Sequence, residues 1–171
     1  MVHDGYYGAS RYGVLGIGPT GDRRAWDARV GRSTGGSGVP MNASLEGKTY
    51  PTLRFEVREE HVRRFALAVG DEEGSVPPTF VTAPEFAAGL TQVVGDAELG
   101  LDLSRVLHGE QEYGWTRPVR VGDVLDVAST IESIRAKGGH EFLTLRTEMR
   151  DASGGLVVVA RSSLLVRGGG P

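Results

Sequence analysis

Side chains that could carry chemistry are concentrated between Gly70 and Val94. Asp71 follows Gly70 in an acidic turn, and the chain then passes through Pro77-Pro78 into a mostly apolar segment. A carboxylate held beside a helix N-terminus could position water near backbone amides that polarise a carbonyl. Acidic residues that follow a helix are also typical of a solvent-exposed loop. Local chemistry therefore leaves both interpretations of the turn open.

The histidines are the second set of candidates. His108 lies in a predicted strand and is either a general base or a partly buried histidine held by hydrogen bonds. His61 is expected on the charged face of a helix, and His140 in a turn beside two glycines. A metal site would require these three to converge from different elements, and the chain has no cysteine. We therefore predict neither a metal nor a cofactor.

Known sequence motifs add little to this set. No nucleophile elbow, phosphate-binding loop or metal-binding helix motif is present. Residues 16–21, Gly-Ile-Gly-Pro-Thr-Gly, match the dinucleotide-binding fingerprint in form. That fingerprint needs a strand before it and a helix opening at its last glycine, and neither is predicted here. The match is therefore interpreted as chance.

Composition narrows the class of protein. The 171 residues suit one domain, and a formal net charge of -3 gives no electrostatic reason to expect nucleic acid binding. No run approaches the roughly 20 apolar residues of a membrane span, and the first residues lack the pattern of a secretory signal. We predict a cytoplasmic protein without membrane association.

The first 40 residues differ from the rest of the chain. They are rich in glycine and show no hydrophobic periodicity, and they end in a stretch with the composition of a flexible linker. We predict a disordered tail at 1–40 and a single domain at 41–171. Met41 would be a natural start for that domain, so the tail is interpreted as an upstream extension of the reading frame.

Within 41–171 the hydrophobic pattern predicts an α+β order of strand, helix, helix and four strands. The second helix is expected to begin near Pro84, with Thr82 as its cap, and to end at Gly95. Short connections predict that the last four strands form an antiparallel meander around that helix. Open sheet edges predict a dimer. The expected strands are 49–57, 106–115, 124–134, 141–150 and 155–166, and the first helix is 58–69.

Several segments resemble the MaoC-like hydratase/dehydratases, and especially their N-terminal-domain, FAS1-type dehydratase subfamily. The resemblance implies a hot-dog fold, in which a curved antiparallel sheet wraps around a central helix. It also implies an acyl-thioester substrate and assembly with a second subunit. The segments that carry the resemblance are 45–50, 65–71, 76–80, 99–102, 108–113 and 117–123.

The active members of that family use an aspartate and a histidine in a motif of the form G-D-x-N-P-x-H. The resemblance implies that the histidine exchanges the proton alpha to the thioester carbonyl while the aspartate holds the water. Gly70 and Asp71 match the first two positions, but Glu73-Gly74-Ser75 stand where the rest of the motif would be. The histidine half of the pair is therefore missing from this turn.

We accordingly predict a non-catalytic, substrate-shaping subunit of an (R)-3-hydroxyacyl-thioester dehydratase, acting on CoA or acyl-carrier-protein substrates with a catalytic partner subunit. Three alternatives stay open: a homodimeric enoyl hydratase in which His108 or another histidine is the base, a thioesterase that uses Asp71 or Glu85, and a non-enzymatic acyl-thioester binding module. The predicted catalytic residues are Asp71 and His108, and the predicted substrate-binding residues are Pro78, Thr79, Phe80, Phe86 and Leu90.

Overall fold

The computed structural model describes residues 39–71 and 75–168. Almost all of the predicted tail at 1–40 lies outside the described residues, and so do three residues of the acidic turn, Glu72, Glu73 and Gly74. The predictions made for those positions stay predictions. Among the described residues, no helix has the length and hydropathy that crossing a membrane requires.

The first long helix, α1, spans Glu59–Val69. Two acidic residues in its first turn complement the helix dipole. It ends at Gly70, whose φ of 72° is in the left-handed region that favours glycine, and the Gly70 N–H is bonded to Ala66 and Leu67 carbonyls. The predicted helix end is therefore confirmed.

The central helix, α2, has three consecutive segments: α-helical Thr82–Glu85, π-helical Phe86–Leu90 and α-helical Thr91–Val94. A 3₁₀ turn, Pro78–Val81, leads into it. The prediction that Thr82 caps a helix beginning near Pro84 was wrong, because helical geometry starts earlier. The Thr82 hydroxyl instead donates to the Thr79 carbonyl at 2.9 Å, within the helical run.

The described residues form five strands, numbered in chain order as Leu53–Glu56 (β1), Val106–Trp115 (β2), Val124–Lys137 (β3), His140–Arg150 (β4) and Leu156–Val166 (β5). They form one antiparallel sheet in the order β1-β3-β4-β5-β2. The hairpins β3–β4 and β4–β5 are confirmed as predicted. His140 is the first residue of β4, not a turn residue, because Gly138 and Gly139 alone form the turn.

The predicted pairing of β2 with β3 was wrong, because β2 pairs with β5 at the far edge of the sheet. Crossing from β2 to β3 covers three strand spacings, about 14 Å. Residues 116–123 can span about 26 Å when extended, so the connection is long enough to cross the end of the sheet. Backbone bonds between Val57 and residues Gly122 and Asp123 then hold the start of β3 beside β1.

The helix α2 packs against β3 and β4 at Gly89. A Cβ atom at this position would lie 2.6 Å from Ser129 Oγ, so only glycine permits the approach without a shift. Two hydrophobic clusters lie on either side of this contact, one around Phe80 and Val81 and the other around Val93 and Leu99. The curved sheet around a central helix confirms the predicted α+β, hot-dog arrangement.

Candidate functional site

Asp71 follows the glycine that ends α1, and its N–H is bonded to the Ala66 carbonyl at 2.9 Å. The side chain is half-buried. Asp71 lines neither of the two cavities described below, whereas His108 lines the first of them. The structure therefore does not bring the two predicted catalytic residues, Asp71 and His108, into one cavity.

A cavity of about 300 Å³ lies between α2 and strands β2, β4 and β5. Phe86 and Leu90, both predicted to contact substrate, are on its wall. This volume is at the lower end of the range for small-molecule pockets. The other apolar lining residues are Leu103, Val106, Leu145 and Leu164, and the remaining ones are Glu85, Gly89, His108, Thr147 and Ser162.

Glu85 is the centre of a hydrogen-bonded cluster at one wall of this cavity. Its side chain is buried, at 4% exposure. The Tyr113 hydroxyl donates to Glu85 Oε2 at 2.6 Å, and Gln111 Nε2 lies 3.1 Å from Oε1 and 3.2 Å from Oε2. The Ser162 hydroxyl is 2.5 Å from Glu85 Oε1 and 2.7 Å from Gln111 Oε1. We call these four residues the Glu85 cluster.

The order of the strands assembles the Glu85 cluster. Gln111 and Ser162 are direct partners in the β2–β5 register, and Tyr113 is two residues beyond Gln111 on the same face of β2. Burial and the hydrogen bond to Glu85 raise the pKa of the Tyr113 phenol above its ordinary value. The phenol therefore remains a proton donor at neutral pH.

A β-bulge brings His108 to the same face of β2. His108 pairs with Leu164 and Glu110 with Ser163, so Gly109 is the extra residue. Residues three apart on a regular strand point to opposite faces, but the extra residue places His108 and Gln111 on one face. His108 Nε2 lies 3.1 Å from Gln111 Oε1. The exposed His108 is thus linked to the buried Glu85 through one amide.

The π-helical segment begins directly after Glu85. Such segments are rare and occur frequently at functional sites, because they change the direction of side chains along a helix. The Thr91 hydroxyl donates to the Phe86 carbonyl at 3.0 Å across this segment. The local geometry of α2 thus differs from a regular helix where it carries both Glu85 and the cavity-lining Phe86.

The other predicted substrate-binding residues lie elsewhere. Phe80 is 1% exposed and packs edge-on against Phe55 and Phe65 in the core, not on the cavity wall. Pro78 lines a second cavity, of about 480 Å³, with Trp115 and Arg117 among its other lining residues. Thr79 is exposed.

Sequence reasoning missed Gln111, Tyr113 and Ser162 and considered Glu85 only as a thioesterase carboxylate. One signal could have found Glu85, namely an acidic residue next to the apolar stripe of a predicted core helix. In the part of the chain that the structure describes, no three His, Asp or Glu side chains are grouped closely enough to hold a metal ion.

Comparison with known proteins shows which family the chain resembles in sequence. Residues 44–160 match the family model described as FAS1-like, dehydratase domain region. A UPF0336 protein of Streptomyces coelicolor is 43% identical over 147 residues, which cover 75% of this chain and 97% of the relative. A UPF0336 protein of Saccharopolyspora erythraea is 36% identical over 146 residues, covering 76% of this chain and 94% of the relative.

Two solved structures share the fold. A MaoC-like dehydratase superposes with a TM-score of 0.65 at 21% identity. The match covers 73% of this chain and 43% of the dehydratase chain, so this chain spans less than half of that protein. The C-terminally truncated HadBC complex, a 3R-hydroxyacyl-ACP dehydratase of Mycobacterium tuberculosis, superposes with a TM-score of 0.56 at 25% identity. That match covers 71% of this chain and 96% of the HadBC chain.

Proposed function

The chain belongs to the family of FAS1-like dehydratase domain regions, and from this membership we propose that it is the non-catalytic, substrate-shaping subunit of an (R)-3-hydroxyacyl-thioester dehydratase. In this proposal a MaoC-like partner subunit supplies the complete Asp-His pair. The present chain supplies the wall against which the acyl chain of the substrate lies, with the thioester on CoA or an acyl carrier protein.

The observation that carries the proposal is the cavity beneath α2. Its lining is mainly aliphatic and aromatic, which suits an alkyl chain that must leave water. Phe86 is 47% exposed, and Leu90 of the same helix is half-buried. An acyl chain that enters the cavity would cover the apolar surface that Phe86 now presents to solvent.

Two features support a non-catalytic role. The sequence after Asp71 lacks the histidine that the family motif places there, and one carboxylate cannot both transfer the proton and hold the water. His108, the histidine that lines the cavity, is not accompanied by Asp71 there. The pair required for hydration is therefore expected from another subunit.

The outer edge of the sheet supports assembly with a partner. Strand β2 is an edge strand of ten residues, and it exposes Leu107 and Trp115. Unpaired edge strands with apolar side chains are surfaces that other chains cover. One of the solved structures that share the fold is itself described as a complex, HadBC. We propose that the partner binds at this edge.

Hydration of crotonyl-CoA tests the proposal. The chain alone is expected to be inactive, and the chain purified together with a MaoC-like partner is expected to hydrate the substrate more rapidly than the partner alone. Strong activity of the isolated chain would overturn the proposed division of roles.

Variants at the cavity sharpen this test. Leu90→Trp fills the cavity and should reduce hydration of a decenoyl thioester by the pair much more than hydration of crotonyl-CoA, whose chain is short. Leu67→Trp on α1, where the side chain is 67% exposed, is the matched control and should change neither rate. Equal effects of Leu90→Trp on both substrates would argue against an acyl chain in this cavity.

A self-sufficient hydratase is the second candidate, favoured by the position of His108. This residue lines the cavity, and Gln111 holds its ring by the contact at Nε2. An isolated chain that hydrates crotonyl-CoA, and loses that activity on His108→Ala substitution, would establish this candidate. Release of free thiol by the isolated chain would instead indicate a thioesterase, and ligand binding without turnover by any pair would indicate a binding module.

A further inference from the structure

Glu85 is a buried carboxyl group that forms no ion pair with any other described residue. The ion pairs among the described residues join other groups, and none includes Glu85. Its three hydrogen-bond partners, Gln111, Tyr113 and Ser162, are uncharged. Burying an unpaired negative charge is costly. The number of hydrogens available for the contacts of the cluster shows whether Glu85 is ionised or protonated.

An ionised Glu85 leaves the cluster one hydrogen short. With the Gln111 amide nitrogen facing Glu85, the single Ser162 hydroxyl hydrogen can be donated to Glu85 Oε1 or to Gln111 Oε1, but not to both. These contacts are 2.5 Å and 2.7 Å long. One of them would therefore bring two oxygen atoms together with no hydrogen between them.

Exchanging the oxygen and nitrogen of the Gln111 amide does not remove the shortage. The amide nitrogen could then donate to Ser162 Oγ, and Ser162 to Glu85. However, the amide oxygen would then face both Glu85 oxygens, at 3.1 Å and 3.2 Å, again with no hydrogen in either contact. Both orientations fail for the same reason.

With one additional proton on Glu85 Oε1, each close contact between two oxygen atoms of the cluster contains a hydrogen. Glu85 then donates to Ser162 Oγ, Ser162 donates to Gln111 Oε1, and Gln111 and Tyr113 donate to Glu85 Oε2. We infer that Glu85 is a neutral carboxylic acid in the folded protein and that its proton leaves this wall of the cavity uncharged, which suits an apolar acyl chain.

The functional part of this inference rests on the proposed function. Glu85 and Ser162 both line the cavity, so an acyl chain in the cavity lies against the Glu85 cluster. A closed ring of neutral hydrogen bonds loses little when an alkyl chain replaces water beside it. An ionised carboxylate would lose solvation in the same place. The proton on Glu85 thus makes the inner wall compatible with an apolar ligand.

Infrared spectroscopy of the full chain at neutral pH tests the proton directly. Wild-type protein with carbon-13-labelled glutamate should show the C=O stretch of a protonated carboxyl group, and Glu85→Gln should lack it. Absence of this band from the wild type overturns the inference. The readout needs no substrate, so it decides the state of Glu85 even if the proposed function is wrong.

Two variants provide an independent measurement. A glutamine side chain has the shape of the neutral acid, and it can likewise donate to Ser162 and accept from Gln111 and Tyr113. Glu85→Gln should therefore unfold within about 2 °C of the wild type. Glu85→Leu leaves three polar partners without a hydrogen bond and should unfold at least about 5 °C lower. Equal losses in both variants would overturn the inference, because an ionised Glu85 would not tolerate the amide.

Decanoyl-CoA binding, measured by calorimetry, tests whether the wall is uncharged. The affinity of Glu85→Gln should lie within about threefold of the wild-type value. If a folded Glu85→Gln protein loses about tenfold or more in affinity for decanoyl-CoA, the wall is not neutral in the wild type. A wild type that shows the protonated band but binds no decanoyl-CoA would support the proton on Glu85 and overturn both its role beside an acyl chain and the proposed function.

Discussion

Replacing Gly89 by Ala tests how closely α2 must approach the sheet to form the cavity. The added Cβ would lie 2.6 Å from Ser129 Oγ, about 0.8 Å short of the 3.4 Å at which ordinary contact begins. Ser129 is fully buried, and its hydroxyl is bonded to Thr147 Oγ1 at 2.7 Å, so it cannot turn away without leaving Thr147 unpaired.

The magnitude follows from two opposing effects. Overpacking of a buried contact costs about 1–3 kcal/mol, and the helix preference of alanine over glycine returns up to about 1 kcal/mol. We expect Gly89→Ala to lower the free energy of unfolding by about 1 kcal/mol. In a Ser129→Ala background the nearest remaining atom is the Ser129 Cβ position at 3.4 Å, so the same substitution should stabilise.

Urea unfolding followed by circular dichroism measures the four proteins of this double-mutant cycle. The sign of the Gly89→Ala effect should reverse between the two backgrounds, with a coupling energy of about 2 kcal/mol. Gly114→Ala on β2 is the control, because a Cβ there meets no atom within 4 Å, and it should change stability little. An identical effect of Gly89→Ala in both backgrounds would refute the close contact.

Two further predictions concern stability. The hydrogen bond from Lys48 lowers the pKa of Asp96 below its ordinary 3.8, so the stability from this pair is present above pH 3.8 and is lost as the pH falls through the lower, folded-state pKa. Lys48→Met should therefore lower the unfolding temperature at pH 7 more than at pH 3, and equal losses would contradict the pairing. Phe80→Ala should lower the free energy of unfolding by about 3–5 kcal/mol in urea, and Phe86→Ala by less than about 1.5 kcal/mol; similar losses would contradict the core position of Phe80.

The elements could be predicted from sequence because their signals are local. Gly70 ends α1 in the left-handed conformation that a helix-terminating glycine adopts, and Gly138-Gly139 form the two-residue turn between β3 and β4. The position of β2 could not be predicted in the same way. The connection after β2 is long enough to cross the end of the sheet, so β2 could pair with either β3 or β5. Only the packing of the whole sheet selects β5.

The candidate site was less predictable than the fold because two local irregularities and the strand order build it. The bulge at Gly109 places His108 and Gln111 on one face, although an alternating strand would separate them. The π-helical segment starts after Glu85, where a regular 3.6-residue period would have been assumed. Ser162 is joined to Gln111 only because β2 lies beside β5. The strand order matters most, because a sheet with β2 in another place would not bring Ser162 to Gln111.

The two hydrophobic clusters of the core explain why polar side chains lie beside the cavity. The two hydrophobic clusters of the core would merge beneath α2 if the residues between them were apolar, and little space would remain for a ligand. Polar side chains occupy that middle layer, with the Ser129–Thr147 pair under Gly89 and the Glu85 cluster beside the cavity. Because their hydrogen bonds require fixed distances, these residues hold the layer open at a defined width.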